Sequence, residues 1–342
     1  MLPSLLTTLF FALSTIFAQR SIRALGSTRA NIGRLVFAFV ILGAVAWFLG
    51  EPFGGAGRDW LLLSGVIGMG LGDLAFFGAL PLLGSRLTIL MGQCLAAPIA
   101  ALMEWLWLDT RLTAMQGLFG LVVIAGVAVA LMPSRSQPPK VRVRWTGFLF
   151  GLGAAAGQGI GAVVSRKANL VAMASGEHIN GFTAAFQRIS GGLVITLAYF
   201  AVVALLDRRR DQALTMPAQV ADTATVSETP APAAVSSADS DPGPTSTGTQ
   251  TSTAAAPPKP TRTWRSYLWV PANSGCGAVL GVSCYQWALF STPSAIVLPI
   301  VATTPLAIIP FSYWFEGERP SRRSLLGGFI AVLGAAGLAI VR

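Results

Sequence analysis

One aspartate stands in the middle of an apolar run, GMGLGDLAFF, and no Lys or Arg lies within a helical turn of it in the sequence. An ionisable group inside a membrane-spanning segment is costly, so Asp73 is a site candidate by default. Such a carboxylate could carry a proton, because a low-dielectric surround favours the neutral acid, or hold a substrate ammonium. Two arginines are placed in the same way: Arg34 about four residues and Arg188 about seven residues into their apolar segments. Either could bind a carboxylate or phosphate through its two-pronged guanidinium, or snorkel to the headgroups. Gln93, Gln158, Tyr285 and Gln286 are neutral polar groups in apolar segments, able to line a path or join helices. Trp287 could wall a pocket beside them. Glu104 lies beside Trp105 and Trp107 near a segment end and is expected in an interfacial belt. The sole histidine, His178, falls in a loop and is a poor proton relay.

These residues need elements to position them, and the composition says which kind. Charged residues make up only 11% of the 342 and hydrophobic ones 53%, too little charge to cover a soluble surface of this size. The excess of +10 falls in short clusters between apolar stretches, which fits loops that orient membrane spans and not nucleic-acid binding. The three cysteines, Cys94, Cys276 and Cys284, have no CxxC spacing, so they read as packing residues and neither a metal nor a redox cofactor is expected. No HExxH, no GxSxG in a strand–helix setting and no Walker A sequence occurs, so an enzyme or an ATP-driven pump is not expected.

Ten segments are long and apolar enough to be spans: 2–18, 31–50, 60–80, 87–108, 114–132, 145–164, 182–206, 266–290, 294–315 and 324–341. The first has no Lys or Arg ahead of it and reads as a retained span, not a cleaved signal. Residues 211–263 are rich in Ala, Pro, Ser, Thr and Gly and read as a disordered loop. Arg20, Arg23, Arg29 and Arg86, the Arg135–Arg144 and Arg208–Arg210 clusters, Lys259, Arg262, Arg265 and Arg319–Arg323 fall on one side. Arg58, Arg111, Arg166, Lys167 and Arg342 fall on the other. With ten spans, the charge count puts both termini outside the cytoplasm.

The segments also repeat. A shift of 209 residues carries Trp60 to Trp269, Gly68 to Gly277, Gly72 to Gly281 and Ser85 to Ser294. A shift of 208 carries Arg111 to Arg319, Gly120 to Gly328 and Gly126 to Gly334. This is internal duplication. Five spans per half is an odd number, so the expected fold is an all-α membrane protein of ten helices in two inverted five-helix repeats, residues 1–133 and 145–342. Many secondary transporters have that architecture, with the substrate near the midplane where the halves meet. Gly153, Gly157 and Gly161, four apart, predict a close helix seam, and Pro98, Pro299, Pro305 and Pro310 predict bent helices.

Two stretches, GDLAFFGALPLLGSRLTILMGQCLAAPIAAL through the run GVAVAL and YQWALFSTPSAIVLPIVATTPLAIIPF through the C-terminal glycines, resemble the repeat of EamA-type transporters of the drug/metabolite transporter superfamily. The matching features are Pro98 and Pro305, the Glu318–Arg319 pair, Gly120/Gly126 and Gly328/Gly334, with Arg34 and Arg188 early in spans two and seven. Asp109-Thr110-Arg111 replaces the acidic–Arg pair in the first half. The resemblance implies a ten-span, non-ATP exporter of small polar metabolites such as amino acids, in a bacterial inner membrane. It also implies a central cavity between the repeats and cytoplasmic termini. Without a Walker A sequence, coupling would come from a proton or other ion gradient or from simple exchange. A carrier of phosphorylated or lipid-linked cargo and a non-transporting assembly partner are the alternatives. The only lysines, Lys140, Lys167 and Lys259, lie in or beside loops, which weighs against a pyrophosphate cargo.

Overall fold

The computed structural model describes residues 2–25, 27–49, 53–83, 85–131, 144–222, 267–316 and 322–341. Helix dominates them because a backbone in lipid must satisfy its own N–H and C=O groups. Even the hydroxyls turn inward: Thr7, Thr8, Thr15, Ser190 and Thr196 each donate to the carbonyl four residues back.

The order is α1 (Leu2–Leu25), α2 (Ser27–Phe48), α3 (Arg58–Gly65), a π-helix π1 (Val66–Gly72), α4 (Asp73–Leu83), α5 (Ser85–Cys94), α6 (Ala96–Leu108) and α7 (Ala114–Leu131). Next come α8 (Trp145–Ala174), α9 (Gly181–Asp222), α10 (Trp269–Asn273), a second π-helix π2 (Ser274–Gly281), α11 (Val282–Ser291), α12 (Ser294–Val301), α13 (Thr304–Glu316) and α14 (Arg322–Ile340). Six helical stretches are long and apolar enough to cross a bilayer: Leu2–Ile22, Arg29–Phe48, Arg58–Ala79, Leu87–Leu108, Trp145–Ala174 and Gly181–Leu206. Three shorter apolar helices, Ala114–Ala130, Ser294–Ile308 and Leu325–Leu338, add to them. The protein is therefore an all-helical, multi-pass membrane protein.

Two breaks follow from proline. A proline at position i has no N–H to offer, and its ring presses on the carbonyl of residue i−4. Accordingly α5 ends at Cys94, four residues before Pro98, and α12 ends at Val301, four residues before Pro305. The sequence reading ended span six at residue 164, whereas α8 runs on to Ala174, so Arg166 and Lys167 are helix residues and not loop charges. Helix α9 continues to Asp222, and the rest of the expected disordered loop, 223–263, lies outside the described residues. So does the Glu318–Arg319 element.

Contacts divide the chain into one compact unit, Met1–Ala198 with Thr261–Arg342, and a second, Tyr199–Pro260. In the first unit α8 packs along α3, π1, α4, α5 and α6, while α1 packs along α10, π2, α11, α12 and α13. The first helix of each sequence half thus lies on helices of the other half. Helix α7 packs on α14, with Gly126 against Gly327 and Ala331, and Gly334 against Val123. Apolar cores fill the crossings, one around Leu35, Leu42, Phe186 and Ile189 and another around Ala162, Val163, Leu289 and Val297.

Candidate functional site

Glycine brings the site together. A Cβ on Gly65 would strike the Arg188 carbonyl, and one on Gly191 would strike the carbonyl of Leu62, so α9 lies in backbone contact with α3. On the other side of that span, Gly72 meets Gly157 and Gly68 meets Gly161, so the close seam expected of the α8 glycines is made with π1. Between these contacts sits the Arg188 side chain, 3% exposed, with Nη2 against the bare face of Gly68. Any side chain at Gly68 would displace it.

A chain of hydroxyls holds Arg188 in place. Its Nη1 donates to Ser165 Oγ at 3.2 Å, and Gln286 Nε2 donates to the same oxygen at 3.2 Å. Ser64 Oγ donates to the Gly161 carbonyl at 2.6 Å and lies 2.7 Å from Ser165 Oγ. With the Ser64 proton on that carbonyl, Ser165 must donate to Ser64. Ser165 then accepts two bonds and donates one, and its capacity is full. The Arg188 guanidinium also stands over the Tyr285 ring, 5.3 Å from its centroid. It approaches the Tyr285 hydroxyl without reaching hydrogen-bonding geometry. Three buried polar atoms in this cluster have no partner: Arg188 Nε, the Tyr285 hydroxyl and Gln286 Oε1.

The other two charged candidates pair with each other. Arg34 Nη2 lies 3.2 Å from Asp73 Oδ2 and 2.9 Å from Asn31 Oδ1, which it shares a helix face with. Asp73 is also within electrostatic reach of Arg188, but its salt bridge goes to Arg34. So the aspartate that is isolated in sequence is paired in space, across a separation of 39 residues. Arg34 and Arg188 occupy related places: Ser274 donates to the Arg34 carbonyl at 2.8 Å, and Gly65, 209 residues earlier, abuts the Arg188 carbonyl.

Of the remaining candidates, Gln93 on α5 and Gln158 on α8 are half-buried and join none of these hydrogen bonds. Trp287 is half exposed on the same helix as Tyr285. The His178 ring packs on Phe290, 4.4 Å between centroids. Glu104 corrects its expectation: it is 1% exposed and not interfacial. Its carboxylate accepts the N–H groups of Ser294 at 2.8 Å and Ala295 at 3.0 Å, the free donors at the start of α12. A cavity of about 420 Å³ opens near there, lined by Thr110, Arg111, Gln116 and Ser291–Pro293, and not by the Arg188 cluster.

The EamA-like transporter family matches residues 1–132 and 252–340, more than half of the chain. The protein is a member of the EamA-like transporter family. Membership places this EamA protein among the membrane transporters of the drug/metabolite transporter superfamily. A solved structure described as "Crystal structure of protein" is similar in fold, with a TM-score of 0.67 over 99% of this chain and 96% of its own, at 13% identity. No curated protein matches this chain.

Two parts of the site were not evident in the sequence. Ser165 is a small hydroxyl among many, and only its contacts make it the hub. The π-helices have no residue code, although they end at the offset that the glycines already mark, Gly72 against Gly281, and begin within one residue of it.

Proposed function

We propose that this EamA protein is a secondary, non-ATP exporter of small polar metabolites such as amino acids in a bacterial inner membrane. In this reading the ten segments are ten spans, and the halves 1–133 and 145–342 are inverted repeats with the substrate path between them. The supporting observation is the convergence at Arg188 of Ser64 and Gly68 from the first half with Ser165, Tyr285 and Gln286 from the second. Buried polar groups on facing helices of both halves are what a midplane site requires. The exchange of first helices between halves supports the two-fold relation. Arg188, Tyr285 and Gln286 would contact cargo, Asp73 and Arg34 would form the charged pair that responds to it or to a coupling proton, and Gln93 and Gln158 would line the approach.

The test is the metabolite content of the medium of cells overexpressing the protein, against cells with Asp73→Asn at equal membrane abundance and against empty vector. Export predicts that one compound class accumulates outside only with the parent. Matching media in all three would sink the reading. Loss of folded Asp73→Asn protein would favour an assembly role.

A further inference from the structure

A loop arginine stands between two cavities that the Arg188 cluster does not use. Arg111, with its neighbours Thr110 and Leu112, lines both the cavity of about 420 Å³ beside Ser291–Pro293 and a second one of about 390 Å³. Polar groups complete the first, among them Gln116, Ser291 and Thr292. Ala101, Leu102 and Trp105 of α6 complete the second. Leu102 and Trp105 are half exposed, and near the end of a membrane-spanning helix such side chains meet lipid. Arg111 is itself exposed. Among the described residues neither an ion pair nor a hydrogen bond takes up its guanidinium, not even from Asp109 two residues away.

The loop that carries this cation is fixed at both ends. Asp109, left-handed at φ 50°, and Thr110 both donate their N–H groups to the Glu104 carbonyl and so end α6. Thr113 and Gln116 each donate a main-chain N–H to the other's side chain, the reciprocal cap that starts α7. The Gln116 amide then donates to the Val341 carbonyl at 3.3 Å. On the facing wall, Ser291–Pro293 lead directly into the two N–H groups that the Glu104 carboxylate holds. One buried residue thus ties both walls together, and Arg111 is placed between them.

We propose that Arg111 holds the phosphate of an anionic phospholipid, with the headgroup in the cavity beside Gln116 and Ser291 and an acyl chain along Leu102 and Trp105. Polar cavity, cation and lipid-facing groove match headgroup, phosphate and chain in that order. A guanidinium suits a phosphate because its donors meet two oxygens at once. A zwitterionic lipid brings a second cation close to Arg111 and is favoured less. The lipid is a bound component and not the cargo, so the proposal stands apart from what the protein transports.

The experiment uses the full chain purified in mild detergent, with thermal unfolding and lipid retention in native mass spectrometry as readouts. The probes are phosphatidylglycerol, phosphatidylcholine with the same acyl chains, and glycerol phosphate. The expected result is that phosphatidylglycerol raises the melting temperature and stays bound, while phosphatidylcholine binds about fivefold or more weakly. Arg111→Gln should abolish that preference. Arg58→Gln alters another exposed arginine, one already paired with Asp59, and should keep it. Trp105→Ala, on the chain side of the site, should weaken phosphatidylglycerol without touching the charge. Equal binding of the two lipids, no retained lipid, or glycerol phosphate protecting as well as the whole lipid would each overturn the proposal. So would an unchanged preference in Arg111→Gln, unchanged affinity in Trp105→Ala, or an equal loss in Arg58→Gln, which would trace the preference to general surface charge.

Discussion

Glu104 and Arg166 grip opposite sides of the same break in the chain. Arg166 Nη1 donates to the carbonyls of Leu289 and Phe290, in the last turn of α11, and Glu104 accepts the first two N–H groups of α12. Between them lie only Ser291, Thr292 and Pro293. Helix ends leave carbonyls bare at one terminus and N–H groups at the other, with partial charges of matching sign. The cation meets the negative end and the anion the positive end, and the two side chains are within electrostatic reach of each other. Both come from outside the span they hold, Glu104 from α6 and Arg166 from α8.

Glu104→Gln should therefore destabilise the protein although it keeps the size. The amide has one accepting oxygen for two buried N–H groups, and an unsatisfied buried donor costs about 1–3 kcal/mol. Thermal unfolding in detergent measures this. Glu104→Ala should cost more, and a Glu104→Gln protein that melts with the parent would refute the capping account.

Combining Glu104→Gln with Arg166→Met tests the grip as a unit. If the two side chains hold one connection, the double variant should lose less than the sum of the singles, by more than about 0.5 kcal/mol. Strict additivity would mean two independent caps.

The Arg34–Asp73 pair predicts a different cycle. Asp73→Asn and Arg34→Gln each leave a partly buried charge alone, while the double variant removes both. A coupling of about 1 kcal/mol in the stabilising direction is expected from unfolding of the four proteins. A double variant whose loss equals the sum of the two single losses would mean that the two residues serve separate partners.

Glycine placement gives a prediction with a built-in control. Gly157→Ala would put a methyl against the Cα of Gly72 and should destabilise by about 1–3 kcal/mol as α8 and π1 are pushed apart. Gly117→Ala on α7 meets nothing within 4 Å and should be neutral or stabilise by about 0.5–1 kcal/mol through helix propensity. Similar melting shifts for both would argue against the seam.

Hydropathy is enough to mark the apolar helical stretches, and glycine spacing to mark α8 as a closely packed helix, because lipid imposes apolar length and close packing imposes glycine; that π1 is the partner in the seam needs the structure. Charge partners were harder to read. Asp73 looks solitary because Arg34 approaches it from another helix, and Glu104 looks interfacial because its tryptophan neighbours point outward while it points in. In both, the deciding contact joins residues far apart in sequence: 39 positions for Asp73 and 190 for Glu104. Arg188, Tyr285 and Gln286 were legible one by one as polar groups in apolar runs. Their union through Ser165 was not.

The two π-helices carry a genetic consequence. A π-turn closes its hydrogen bond one residue later than an α-turn, so each of these spans holds extra chain for its length. Deleting a single residue from Val66–Gly72 is a change such a wide turn can absorb: the winding tightens to α-helical, and the residues beyond keep close to their original facing. Asp73 begins the very next turn and would stay on the side of Arg34. The same event in Ser274–Gly281 would leave Tyr285 and Gln286 facing Arg188. These two stretches are thus where descendants of this protein could lose a residue and keep their polar cluster.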